Sequence, residues 1–187
     1  LPWSVDAATI GAALGTDAVR LINDAEAAAF AIPSLGPDDV VTLQAGEPDP
    51  HGTAALIAPG TGLGEAFLTH DGDTYRAHPS EGGHTDFAPR NAGEIGLLQY
   101  MRSRFSRVSY ERVCSGSGLP YIYGYLSEIG FAPERPGVAA ALDEAEDPTP
   151  VIIGAALDDD PCPLCVASVR TLSSILGAEA GNLALKA

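Results

Sequence analysis

At 187 residues the chain has room for one sizeable core, or for one domain and part of another, and its 45% hydrophobic content marks it as globular rather than disordered. A formal net charge of −15 with a single lysine, Lys186, argues against a nucleic-acid partner and excludes any mechanism that needs a lysine in a central loop. No apolar run approaches the roughly 18 residues that cross a bilayer, and the opening Leu-Pro-Trp-Ser shows no signal core, so a cytoplasmic protein without a membrane partner is expected.

In chain order, Ser4 is expected to cap a helix that carries Val5, Ala8 and Leu14 and stops at Gly15. Ala18 to Ile22 reads as a short strand ending at Asn23-Asp24. The alanine-rich run Ala25 to Ile32 then reads as a helix that Pro33 terminates. Asp24 would thus stand at a strand end and a helix start, where ligand-binding side chains gather in α/β sheets. Residues 34 to 53, with Pro37, Pro48 and Pro50, read as loop around one strand, Val40 to Leu43. A meander follows: strand Ala54 to Ala58, the glycine loop "PGTGLG", strand Glu65 to Thr69, a turn at Asp71 to Asp73, and a strand from Thr74.

Beyond the bend "SEGGHTDFAP", Asn91 and Glu94 have capping-box spacing for a helix through Phe105, although Asn stands where Ser or Thr is usual. Ser109 to Cys114 reads as extended, and "SGSG" turns the chain into a helix over Leu119 to Ile129. From Gly137 onward the pattern is helical, with Thr149-Pro150 as a helix start. The three cysteines make no disulfide framework. Cys162 and Cys165 have the spacing of half a zinc site, but nothing completes it, so a pair of buried thiols at a helix start is expected and no metal site. The fold class is α/β, with a mixed sheet and a helical C-terminal part.

Taken singly, the polar residues have plain readings. Asn23-Asp24 suits a helix cap, His84 a turn, Glu111 a surface carboxylate, and Gly60-Thr61-Gly62 a hairpin turn as readily as a phosphate cradle. The glycine loop is not a Walker A motif, since Glu65 stands where Lys is needed. In order, however, "LINDAEAAAFAIP", "APGTGLGEAFL", "SEGGHTDFAP", "YERVCSGSGL" and "GNLAL" together resemble the bacterial ATP-dependent glucokinase family, from Trp3 to Leu185.

The resemblance implies an actin-like, ribonuclease-H-like sugar kinase fold. Residues 1–34 would close a small α/β domain and 35–187 would form a large, C-terminally incomplete one. It implies ATP-dependent phosphorylation of glucose at the 6-hydroxyl, with Mg2+ on the phosphates and a possible homodimer. Asp24 would be the catalytic base. Asn23, Asp24, Glu81, His84 and Glu111 would hold the sugar, and Gly60, Thr61 and Gly62 the phosphates. "SGSG" and "GNL" would lie on the nucleotide side, and Asp86 would brace the bend. The family's opening Asp-x-Gly-Gly-Thr loop does not occur here, so the chain is expected to be an internal piece that phosphorylates poorly alone. Two other functions compete: a non-catalytic hexose-binding module, and a glycoside hydrolase using two of Asp24, Glu81 and Glu111.

Overall fold

A computed structural model describes residues 4–47 and 49–187; the loop proline Pro48 and the Trp3 end of the motif set lie outside the described residues. The chain runs α1 (Ala7–Leu14), α2 (Asp24–Ala31), β1 (Ala54–Pro59), β2 (Leu63–His70), β3 (Tyr75–Ser80), α3 (Ala92–Arg102), α4 (Leu119–Glu128), α5 (Pro136–Glu144), α6 (Thr149–Leu157) and α7 (Pro163–Ala184). Short 3-10 turns stand at Ile32–Ser34, Pro37–Asp39 and Gly82–His84.

The expected mixed sheet is corrected. The three strands form one antiparallel meander, β1-β2-β3, with Ala54 opposite Leu68 and Glu65 opposite Ser80. Parallel pairing needs a long crossover between strands, whereas these are joined by tight turns. Ala18 to Ile22 and Val40 to Leu43 are not strands among the described residues, and Val41 and Leu43 stand out in solvent. An extended run becomes a strand only where a neighbour offers a ladder.

Asp6, not Ser4, caps α1: its carboxylate accepts from the Ala8 and Thr9 N–H groups, and Gly15 closes the helix with φ 69°. The alanines of α2 let it lie close on the sheet, where Ala25 and Ala29 meet Ala66, Leu68 and Ala77. The larger core is helical. Leu119, Ile122, Tyr123 and Leu126 recur at helical spacing along α4 and pack with Leu164 and Ile175 of α7. Cys162 and Cys165 are buried at the start of α7, as expected.

Asn91 caps α3 as anticipated, but the reciprocal half of the box does not form, because the Glu94 carboxylate turns to Arg90 and the Asn91 side-chain amide instead of the Asn91 backbone N–H. Asn91 Oδ1 accepts the Glu94 N–H at 3.0 Å, while buried Glu94 accepts from the Arg90 N–H at 2.7 Å and the Arg90 guanidinium at 2.6 Å. Burial alone would raise the Glu94 carboxyl, but the Arg90 bonds outweigh it and hold it below the usual range. A depressed carboxyl stabilises the fold above its unfolded value, and that contribution disappears as pH falls through the folded value. Arg90→Ala is therefore expected to cost about 1–2 kcal/mol at pH 7, discounted because Arg90 is half-exposed. Urea melts at pH 7 and pH 3 check this, since the deficit should shrink in acid.

Candidate active site

Four chain segments meet at one cleft of about 540 Å3, and every residue proposed above for sugar or phosphate lines it: Asn23, Asp24, Gly60, Thr61, Gly62, Glu81, His84 and Glu111. Asn23 caps α2, its Oδ1 accepting the Ala25 N–H at 2.8 Å and the Glu26 N–H at 3.3 Å. That fixes Asp24, the first residue of α2, exposed at the cleft wall.

The opposite wall is the Ser80–His84 bend. His84 Nε2 lies 3.6 Å from Glu81 Oε2 and its Nδ1 3.6 Å from Glu111 Oε1, so one imidazole stands between two carboxylates. Glu111 is held from behind, its Oε2 accepting the Leu63 N–H at 3.1 Å. Ser109 to Cys114 is not extended as expected; only Ser109 bridges, to Asp86, before the chain turns at Glu111–Val113. The reason is local bonding: Tyr110 and Glu111 donate to Thr85 and Gly83 of the bend, after which Val113 and Cys114 donate back to the Tyr110 carbonyl. Asp86, expected to brace the bend, accepts from Arg107 Nε at 2.5 Å in an exposed ion pair.

The floor is the β1–β2 turn. Gly60 N–H closes it onto the Gly62 carbonyl at 2.9 Å. From behind, the Gly60 carbonyl accepts the Gly116 N–H at 2.8 Å and the Thr61 carbonyl accepts the Ser117 hydroxyl at 2.8 Å. Gly62 matters for space rather than for an unusual φ: a Cβ there would fall 2.5 Å from Glu111 Oε2 and push that carboxylate off the Leu63 N–H.

The lining carries three carboxylates and one histidine, with no Lys or Arg. Such a wall suits a neutral ligand rich in hydroxyls, which can donate to carboxylates, and repels an unaccompanied anion. A second, mostly apolar cleft of about 610 Å3 shares Pro59, Gly60 and Thr61 with the first. Ser115–Ser117, Ile153, Val169 and Leu172 line it, with Glu146 and Asp147 also present. "SGSG" thus reaches this cleft, whereas "GNL" lines neither: Asn182 donates instead to Glu179 Oε2 at 2.8 Å and to the Tyr110 hydroxyl at 3.2 Å. The contributions of α6 and α7 had no signal in the sequence, because their apolar stripes look like ordinary core. Glu65, buried under the bend, was equally unmarked: in the sequence it only sets the glycine loop apart from a Walker A motif.

The family model described as Glucokinase matches residues 1–187. The chain is 39% identical over 198 residues to the glucokinase of Nostoc punctiforme, covering all of this chain and 58% of that protein. It is 38% identical over 183 residues to the glucokinase of Chromobacterium violaceum, covering 98% of this chain and 49% of that one. The chain therefore spans about half the length of the curated relatives it matches. Among solved structures, glucokinase from an Antarctic psychrotroph superposes with a TM-score of 0.73 at 27% identity, covering 96% of this chain and 52% of that one. Glucokinase from Balamuthia mandrillaris, solved in complex with glucose, gives 0.60 at 27% identity over 81% of this chain and 40% of that one. The α/β architecture is that of these actin-like sugar kinases, and with a match over its whole length the chain belongs to the glucokinase family.

Proposed function

We propose that the protein is an ATP-dependent glucokinase and that this chain carries its hexose-gripping residues and the phosphate-side turn. The observation that carries the reading is the shared cleft: five hexose-type side chains converge beside a glycine turn that also borders an apolar cleft wide enough for a nucleotide base. In this reading residues 1–34 end a small domain and 35–187 belong to a large one. Cytoplasmic placement and a homodimer are part of the same proposal.

Phosphoryl transfer asks a protein chiefly for positioning and charge stabilisation. Asn23, Glu81, His84 and Glu111 hold the ring hydroxyls so that the 6-hydroxyl faces Asp24. Asp24 accepts that proton as the oxygen forms its bond to the γ-phosphorus, and the bond to the β–γ bridging oxygen breaks to leave ADP. The Gly60–Gly62 turn holds the phosphates from the side away from the sugar. Mg2+ would neutralise phosphate charge, but among the described residues no group of three His, Cys, Asp or Glu could hold a metal ion. The residues here therefore do not build a cage for it.

Calorimetric titration with glucose, alone and with ATP and Mg2+, tests the reading alongside an ADP-release assay on the full-length protein. Glucose binding, with ADP and glucose 6-phosphate formed one for one, is the expected result. Glucose binding without turnover would favour the non-catalytic module instead. Reducing sugar released without nucleotide would point to the hydrolase and end the kinase reading.

A further inference from the structure

Directly behind the hexose-facing bend lies a carboxyl group that the mechanism above does not use. Glu65 sits within β2, opposite Ile57 on β1 and Ser80 on β3. It is 1% exposed, and neither carboxyl oxygen has a hydrogen-bond partner among the described residues. A Cβ on Gly82 would fall 1.9 Å from Glu65 Oε2, so the carboxyl is packed against the α-carbon of the bend. The Gly82 N–H is already given to the Ser80 hydroxyl at 2.9 Å, and the bend continues through Thr85 N–H to the Gly82 carbonyl at 2.8 Å.

The charged and titratable groups around Glu65 come from several elements. Glu179 of α7 faces it and is itself 1% exposed; Lys186 follows α7, and Cys114 lies in the same buried region. Burial pushes the Glu65 carboxyl above the ordinary glutamate range, the Glu179 charge pushes it further, and Lys186 pulls weakly the other way. An ionised Glu65 would be a buried charge with no hydrogen bond beside a second carboxylate, an arrangement proteins relieve by protonation or by movement.

We infer that Glu65 is a positioning residue for the hexose-facing bend: as the uncharged acid it fills the space beneath Gly82 and sets where Glu81 and His84 stand, and as the carboxylate it unseats them. The ligand in this inference rests on the proposed hexose site, while the coupling to the bend does not. Because the folded protein favours the protonated acid, the seated bend is present at low pH and is lost as pH rises through the folded titration point of Glu65. Hexose affinity should then fall about tenfold for each pH unit beyond that point.

Two readouts test this from pH 4 to pH 9. The 13C carboxyl signal of Glu65 and the amide signals of Gly82 and Gly83 are followed by NMR in the wild-type protein, and the amides again in Glu65→Gln. Glucose affinity is measured in both. The expected result is one shared step in the wild-type carboxyl and amide signals, absent from Glu65→Gln. The variant should keep its low-pH affinity within about threefold and lose the alkaline decline. A Glu65 carboxyl that is already ionised at pH 4 overturns the inference without any variant. So does a Glu65→Gln chain that fails to fold, or one that folds with the wild-type amide step or the wild-type pH profile. If neither protein binds glucose, the hexose reading fails, and the NMR step alone decides the role of Glu65.

Discussion

Replacing Asp24 by Asn is expected to lower phosphoryl transfer by about 10^2–10^4-fold, the usual contribution of a positioned general base. Glucose affinity should change by less than about tenfold. The separation follows from where Asp24 stands. Its Oδ1 accepts the Ala25 N–H at 2.8 Å, and Asn23 Oδ1 accepts the same N–H at 2.8 Å, so α2 stays capped when Asn supplies the same oxygen. What Asn cannot do is take a proton from the sugar hydroxyl. The lost charge at a helix N-terminus costs about 0.3–1 kcal/mol, too little to unfold the helix. Steady-state kcat with glucose and ATP, paired with calorimetry on the variant, separates the two effects. An unchanged kcat would remove Asp24 from the chemistry. A loss of binding as large as the loss of rate would make it a sugar contact only.

Gly83→Ala should remove hexose binding and destabilise the fold by about 3 kcal/mol, at the upper end of overpacking costs. The new Cβ would stand 2.3 Å from the Leu63 carbonyl oxygen and 3.2 Å from the Leu63 carbonyl carbon. These are backbone atoms at the start of β2, so no side-chain rotation relieves the clash. Moving the bend instead breaks the 2.8 Å bond from the Glu111 N–H to the Gly83 carbonyl, and Glu111 in turn accepts the Leu63 N–H. Bend, β1–β2 turn and Glu111 are thus one bonded unit, and three walls of the cleft shift together. Urea denaturation and glucose calorimetry measure the two losses. Gly177→Ala, whose Cβ meets nothing within 4 Å, is the matched control. Wild-type glucose affinity in Gly83→Ala would show that the bend does not hold the sugar.

The features legible in the sequence are those decided within a few residues. The Asn23 cap, the Gly15 stop, the Asn91 cap, the Asp71–Asp73 turn and the helix begun after "SGSG" each depend on groups one or two helical turns apart, and each stands where it was read. The cleft residues were found through a motif order resembling a family. Their own chemistry left helix caps and turns as equally good readings.

What only the tertiary structure decided is which distant groups meet. The runs at 18–22 and 40–43 have strand-like composition but no ladder to join, and the sheet is antiparallel because its links are tight turns. His84 stands between Glu81 and Glu111 because the Gly83 carbonyl binds the Glu111 N–H, a pairing no local pattern encodes. Glu65 is a lone carboxylate on β2 whose same-face neighbours are Leu63 and Phe67, and the bend packed against it buries it. Periodicity says which residues share a face, and the packing of other segments decides what that face meets.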